Sequence, residues 1–228
     1  MRIAEHRRHI RALACDYDGT IADEGIVATS VADALFRLRE GGRRLILVTG
    51  RELHDLLRIF ARADLFHRIV AENGGVLYDP ITRVEQHLGA APPDALVAEL
   101  RRRGVDPLSV GKVIVATREP HQQAVVDALR DLGITRNIIL NKGAVMLLPP
   151  GIDKASGLKS ALSALALPAS STVGVGDAEN DRTFLSECGC AVAVANALPA
   201  VKEAADLVTR GESGAGVVEL VDWLMATR

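Results

Sequence analysis

The hydrophobic positions of this 228-residue chain fall into two alternating patterns. Short apolar runs end abruptly in polar residues. Between them lie longer stretches whose apolar residues recur every three or four positions. Runs of about 4–8 apolar residues read as strands buried on both faces, and the 3.6-residue period reads as amphipathic helices. Ala12–Cys15 is the first such run. Val31, Ala34, Leu35 and Leu38 then mark a helix, capped at Thr29 or Ser30 and stopped at Gly41-Gly42. Residues 45–48 form a second strand, and Leu53, Leu56, Leu57 and Phe60 a second helix. Residues 69–71 form a third strand, and 76–78 a fourth that turns at Asp79-Pro80. This alternation predicts an α/β fold: a doubly wound, Rossmann-like parallel sheet with helices on both faces.

The pattern changes near Arg83. A helix runs from Pro92-Pro93 to Leu100, a strand over 112–117 and a helix over 120–132. Two strands follow, 137–140 and 144–148, around Asn141-Lys142-Gly143. This predicts a smaller inserted α+β cap, or lid, over 84–149, jointed at Asp79-Pro80 and Pro149-Pro150, where proline stiffens the connection. The first pattern then resumes. A helix begins at Lys154 and reaches Leu165. Strands follow at Thr172–Gly176 and 191–194, a short helix at 200–205, an edge strand at 207–209 and a last helix from Gly214. The core is therefore expected over 1–83 and 150–228, with the cap between.

Composition adds mainly exclusions. Hydrophobic residues make up 48% and charged residues 25%, ordinary for a globular chain. The net charge of −2 gives no basic field for nucleic acid. No apolar run approaches the roughly 20 residues of a membrane span. The basic segment 1–11 lacks the apolar centre of a signal peptide, so a cytoplasmic location is the expectation. Cys15, Cys188 and Cys190 are read as small buried hydrophobes rather than metal ligands.

The chemistry sits where strands end. The first run stops at Asp16-Tyr17-Asp18-Gly19-Thr20, and open α/β sheets bind ligands beyond the carboxyl ends of their strands. With side chains repeating every two residues, Asp16 and Asp18 are expected on one side of the strand. Two carboxylates that close repel unless a cation lies between them. Mg²⁺, a hard cation that takes oxygen ligands, suits the pair; Asp-Gly-Thr is also ordinary turn chemistry. Thr49 with the Gly50 amide can bind phosphate oxygens. Asp177 and Asp181 follow another strand, and Lys154, a point charge suited to phosphate, begins a helix. A third carboxylate, Asp177, completes a Mg²⁺ site better than the first pair alone.

Taken together, Asp16-Tyr17-Asp18-Gly19-Thr20, Thr49-Gly50-Arg51, Lys154 and Gly176-Asp177-Ala178-Glu179-Asn180-Asp181 resemble the four ordered motifs of the haloacid dehalogenase (HAD) superfamily. Glu72-Asn73-Gly74, Gly151-Ile152-Asp153-Lys154 and the tail around Asn196, Lys202 and Asp206 are similar to its Cof-type, class IIB branch, which carries its cap between the second and third motifs. The resemblance implies a phosphomonoester hydrolase. Asp16 is then the nucleophile that forms an aspartyl-phosphate, and Asp18 the general acid and base. Mg²⁺ would be held by Asp16, the Asp18 carbonyl and Asp177, with Asp181 orienting a ligand or pairing with Lys154. Thr49, Gly50, Lys154 and Asn180 would hold the phosphoryl group. Arg51 either reaches the substrate or braces its loop.

The leaving group is expected to be read by the lid, with Arg118, His121, Asn141 and Lys142 as candidates. The order of elements in the lid is similar to that of archaeal-type phosphoglycolate phosphatases, and in plan to sucrose-phosphate and mannosyl-phosphoglycerate phosphatases. A small acidic phosphomonoester, phosphoglycolate, is the first expectation and a sugar phosphate the second. A phosphomutase and a non-enzymatic module that senses a phosphorylated ligand remain as alternatives, and monomer and homodimer both remain open. A receiver-type signalling domain shares the acidic pocket but lacks the lid and the second Asp.

Overall fold

The computed structural model describes residues 9–226. The first eight positions, with most of the basic N-terminal segment, and the last two lie outside the described residues. Among the described residues, twelve strands and eight α-helices follow one another as β1 (Ala12–Cys15), α1 (Thr29–Glu40), β2 (Arg44–Val48), α2 (Leu53–Ile59), β3 (Arg68–Ala71), β4 (Val76–Asp79), β5 (Val84–His87), α3 (Asp94–Arg102), β6 (Ser109–Val110), β7 (Val115–Arg118), α4 (Gln122–Leu132), β8 (Asn137–Asn141), β9 (Ala144–Leu148), α5 (Lys154–Ala164), β10 (Thr172–Gly176), α6 (Arg182–Glu187), β11 (Cys190–Ala193), α7 (Pro199–Ala204), β12 (Leu207–Val208) and α8 (Ser213–Met225). Three-residue 3₁₀ turns include Glu72–Gly74 and Glu179–Asp181.

Eight strands form one sheet in the order β12-β11-β10-β1-β2-β3-β4-β5. It is parallel from β12 to β3 and antiparallel from β3 through β5. Every residue of β1, β10 and β11 is buried, and so is β2 after Arg44. That is why these strands read as unbroken apolar runs: helices cover both faces, so no alternation is needed. Helix α1 packs on α8 and α5 on α6, and their apolar faces join one core with the sheet. Among the described residues, no helix is long and apolar enough to cross a membrane. The three cysteines are free, and Cys15 and Cys190 are buried.

The smaller sheet is antiparallel, β6-β7-β9-β8. One face carries Val115, Val145 and Leu147 into a separate core with Leu96 and Leu100 of α3 and Val125 and Ala128 of α4. Residues opposite each other across antiparallel strands share a face. Ala116, Met146 and Ile139 are such a row, and they pack toward the large core instead.

Three expectations need correction. The N-cap of α1 is Ala28, and Thr29 and Ser30, expected as caps, lie inside the helix. Val84–His87, placed at the start of the lid, is the edge strand of the large sheet, paired with β4. All four of its residues are exposed, so it carries no hydrophobic signal. The strand expected at 112–117 begins only at Val115. The amides of residues 112–114 donate instead to the Glu72 carboxylate, which removes them from the sheet.

Candidate active site

Strands β1 and β10 lie side by side at the centre of the large sheet, and their carboxyl ends deliver Asp16 and Asp177 together. Asp16, Asp177 and Asp181 are all buried, and one carboxylate oxygen from each lies within 4.8 Å of the others. Lys154 binds the cluster. Its Nζ donates to Asp16 Oδ1 at 2.5 Å and to Asp181 Oδ1 at 2.6 Å, with the side chain 1% exposed.

Lys154 reaches that point because a helix begins there. Asp153 caps α5 with its side chain accepting the Ser156 N–H at 2.8 Å, while Ser156 Oγ accepts the Asp153 N–H. Such reciprocal capping fixes how the chain enters the helix, and with it the direction of Lys154. The Phe184 ring lies 5.9 Å from the ammonium.

The charges are strongly coupled. Burial, then Asp181 and Asp177, push the Asp16 carboxyl up to about 8 against the pull of Lys154. Burial opposes the Lys154 charge, but Asp16 and Asp181 outweigh it and hold the group above its ordinary value. Burial likewise raises Asp177, while Lys142 and Thr20 draw it down. Three buried carboxylates carry more negative charge than Lys154 and Lys142 together offset, and their oxygen donors suit a hard cation. The cluster can therefore hold a metal ion.

Asp181 also accepts the amides of Asp177 and Ala178 on Oδ2, each at 2.9 Å. Its oxygens are thus engaged by the loop and by Lys154. Thr20 Oγ1 donates to Asp177 Oδ1 at 2.9 Å.

The expected shared side of Asp16 and Asp18 rested on strand alternation. β1 ends at Cys15, so strand alternation does not extend to either residue. The Asp18 carboxylate turns to Arg51, whose Nε and Nη2 donate to it at 2.7 and 2.6 Å. Arg51 also donates to Asp55 at 3.1 Å. Its guanidinium therefore braces the loop.

Thr49 is fully buried at the end of β2 and accepts the Arg51 N–H through Oγ1. Asn180 Nδ2 donates to Asn73 Oδ1 at 2.9 Å, close to Gly50. Asn73 Nδ2 and Asn180 Oδ1 are buried without a hydrogen-bond partner. Such unpaired polar atoms mark a place where a polar ligand belongs.

The smaller sheet reaches the same place. Lys142, in the β8–β9 turn at φ 46°, puts Nζ 2.5 Å from Asp177 Oδ2. Burial opposes its charge, but the bond and charge of Asp177 keep it raised. Asn141 beside it has a buried Oδ1 with no partner. His121 turns away and contacts the Asp106 carbonyl. A cleft of about 510 Å³ lies between the sheets, lined by Arg51, His54, Arg58, Ser109 and Ala116 among others.

Sequence reasoning missed Asn73 and Thr20 as parts of this site. Thr20 stood within a motif already singled out; Asn73 carried no signal except its place in Glu72-Asn73-Gly74.

Known proteins resemble this chain in sequence and in fold. A family model described as haloacid dehalogenase-like hydrolase matches residues 13–92 and 101–221. A phosphoglycolate phosphatase from Methanothermobacter thermautotrophicus is 32% identical over 225 residues, covering 93% of this chain and 97% of that protein. One from Haloarcula marismortui is 31% identical over 217 residues, covering 92% and 95%. The solved structure of a HAD subclass IIB sugar phosphatase superposes with a TM-score of 0.75 at 18% identity, over 93% of this chain and 98% of that one, a likeness of fold. The chain belongs to the haloacid dehalogenase-like hydrolase family.

Proposed function

We propose that this hydrolase is a Mg²⁺-dependent phosphatase that cleaves a small phosphomonoester through an aspartyl-phosphate, with phosphoglycolate the favoured substrate. The observation that carries the reading is the buried cluster of Asp16, Asp177, Asp181 and Lys154 beside Thr49 and the unpaired Nδ2 donor of Asn73. It offers a nucleophile, cations and hydrogen-bond donors to one phosphoryl group.

Asp16 attacks phosphorus, and the ester oxygen leaves with a proton from Asp18. Asp18 then takes a proton from the water that attacks the aspartyl-phosphate, which returns Asp16 and releases phosphate. Lys154 pulls Asp16 toward its ionised form and fixes its direction. Thr49, the Gly50 amide and Asn180 meet the equatorial oxygens, where negative charge is spread. Asp16, the Asp18 carbonyl and Asp177 are the residues that would hold Mg²⁺. Bound there, the ion offsets the charge that makes Asp16 reluctant to ionise and neutralises phosphoryl oxygens. Asp181, saturated by Lys154 and two amides, keeps the loop in shape.

Phosphoglycolate is favoured on two grounds. The archaeal relatives bear that name. Lys142 also brings a cation from the inserted sheet to the rim of the cluster, within reach of a second acidic group on a two-carbon substrate. The solved sugar phosphatase supports a sugar phosphate as the second choice.

The test is phosphate release from a panel of phosphomonoesters with and without Mg²⁺, with Asp16→Asn alongside. The expected result is Mg²⁺-dependent release, fastest from phosphoglycolate, and a loss of about 10³-fold or more in the variant. Turnover that survives Asp16→Asn refutes the covalent route. A preference for a sugar phosphate moves the second choice to first, and retention of phosphate on the product indicates a mutase.

A further inference from the structure

Glu72 stands outside the chemistry described above, yet three parts of the site meet at it and its two neighbours. Its side chain is 2% exposed. The carboxylate accepts three successive backbone N–H groups from the segment that enters β7: Lys112 at 3.0 Å on Oε1, Val113 at 2.8 Å and Ile114 at 3.0 Å on Oε2. Gly111 closes the wrap, since a Cβ there would fall 2.7 Å from the carboxyl group.

The backbone at this point is strained. Glu72 and Asn73 lie at φ 51° and 52°, the left-handed region that residues with a Cβ rarely adopt. What holds them is on both sides. The Glu72 amide donates to the Arg51 carbonyl at 2.8 Å, and the Asn73 amide to the Thr49 carbonyl at 2.9 Å. Asn73 Oδ1 receives Asn180. Gly74 lies so close to Asp153, just before Lys154, that a Cβ would sit 1.9 Å from its carbonyl oxygen. One tripeptide therefore touches the Thr49–Arg51 turn, the loop bearing Asn180 and the start of α5, and through Glu72 it also grips the smaller sheet.

We infer that Glu72 is a positioning residue that latches the inserted sheet onto the core and fixes Ala116 and Met146 over Gly50. A lid that closes on a small substrate must be held at a set distance from the phosphate site, because misplacement of a positioning surface weakens substrate binding without touching the reacting atoms. A carboxylate suits this role because it takes three N–H donors at once. A carboxamide has a single acceptor oxygen and would turn an NH₂ against the remaining amides. The strain at Glu72 and Asn73 is borne for that purpose. The latch itself does not depend on which phosphomonoester is cleaved; only the kinetic part of its test rests on the proposed phosphatase activity.

The test uses the full chain with Glu72→Gln, and Gly111→Ala as an approach from the opposite side of the same contact. Amide hydrogen exchange is followed residue by residue, and KM and kcat are measured with phosphoglycolate and with p-nitrophenyl phosphate. The expected result is exchange at least about 10-fold faster for residues 112–118, with β1, β2 and β10 unchanged. KM for phosphoglycolate rises about 5-fold or more while kcat stays within about 2-fold, and p-nitrophenyl phosphate, which needs little from the lid, is nearly unaffected. A fold that loosens everywhere would show faster exchange in β1 and β10 as well, and would overturn the inference. So would unchanged protection at 112–118 in both variants, or a fall in kcat with KM constant. Should neither phosphomonoester be turned over by the wild type, the phosphatase reading fails and the exchange pattern alone decides the latch.

Discussion

Arg51 grips both oxygens of Asp18, with Nε 2.7 Å from Oδ2 and Nη2 2.6 Å from Oδ1. The two residues stand at the ends of neighbouring strands, β1 and β2, and the fork fixes the direction of the Asp18 carboxyl at the edge of the buried cluster. Lysine keeps the charge but loses the planar fork. Arg51→Lys is expected to slow hydrolysis of alkyl phosphates about 10-fold or more, since their leaving oxygen needs a well-placed proton. p-Nitrophenyl phosphate, whose leaving group departs without one, should slow much less. Equal losses on the two substrates would show that Arg51 does not act through Asp18.

Lys154 is the central cation of the site, so its removal should be felt in stability as well as activity. Lys154→Met leaves Asp16 and Asp181 buried without their shared partner, and breaking such a pair costs about 3–5 kcal/mol. Calorimetry should show a fall in Tm of roughly 6–20 °C for a chain of this size. Adding Asp16→Asn removes one of the stranded charges and should recover part of the loss. A single variant as stable as the wild type would mean that the cluster is not held by this pair.

Lys142 tests the choice of substrate. It is half-exposed, lies in a turn and makes its ion pair with Asp177 across the two sheets. Lys142→Met should lower kcat/KM for phosphoglycolate by about 10–100-fold, the loss of a charged contact of roughly 1.5–3 kcal/mol. A neutral phosphomonoester of similar size should change by less than about 3-fold. If both fall together, Lys142 serves the phosphate rather than the leaving group.

His67 sets an acid limit on stability. Burial, then Arg44, Arg39 and Arg68, lower its pKa to about 4, and its Nδ1 accepts the Leu45 N–H at 3.1 Å. Below about pH 6.5 the unfolded chain takes up a proton that the folded one refuses, so the folded state is favoured above that pH and loses ground as the pH falls toward about 4. The contribution is about 1–3 kcal/mol after solvent screening. His67→Asn, whose carboxamide oxygen can still accept the Leu45 N–H, should be less sensitive to acid. Urea midpoints at about pH 7 and pH 5 for the two proteins give the comparison. If the wild type loses no more than the variant between those two conditions, His67 is not the source of the acid sensitivity.

What is legible in the sequence is local. Buried parallel strands need apolar residues on both faces, so β1, β2 and β10 stand out as unbroken runs. Asp16, Thr49, Lys154 and Asp177 are conspicuous because charged or hydroxyl groups end those strands or begin a helix. β5 reads as part of the inserted unit because its edge position leaves Val84–His87 exposed and without a period. Residues 112–114 read as strand from their apolar content, yet their amides are taken by a carboxylate some forty positions earlier.

The sequence by itself determined the alternation of elements and the identity of the groups at the strand ends, because periodicity and chain reversal are properties of neighbours. Only the tertiary structure decided which groups meet. Strand order sets β1 between β10 and β2, and so places Asp16 against Asp177 and Asp18 against Arg51. The fit of one sheet over another decides that Lys142 reaches Asp177 and that Glu72 holds residues 112–114. Those pairings join residues far apart in the chain, where no local pattern constrains them and packing, hydrogen bonding and charge balance decide.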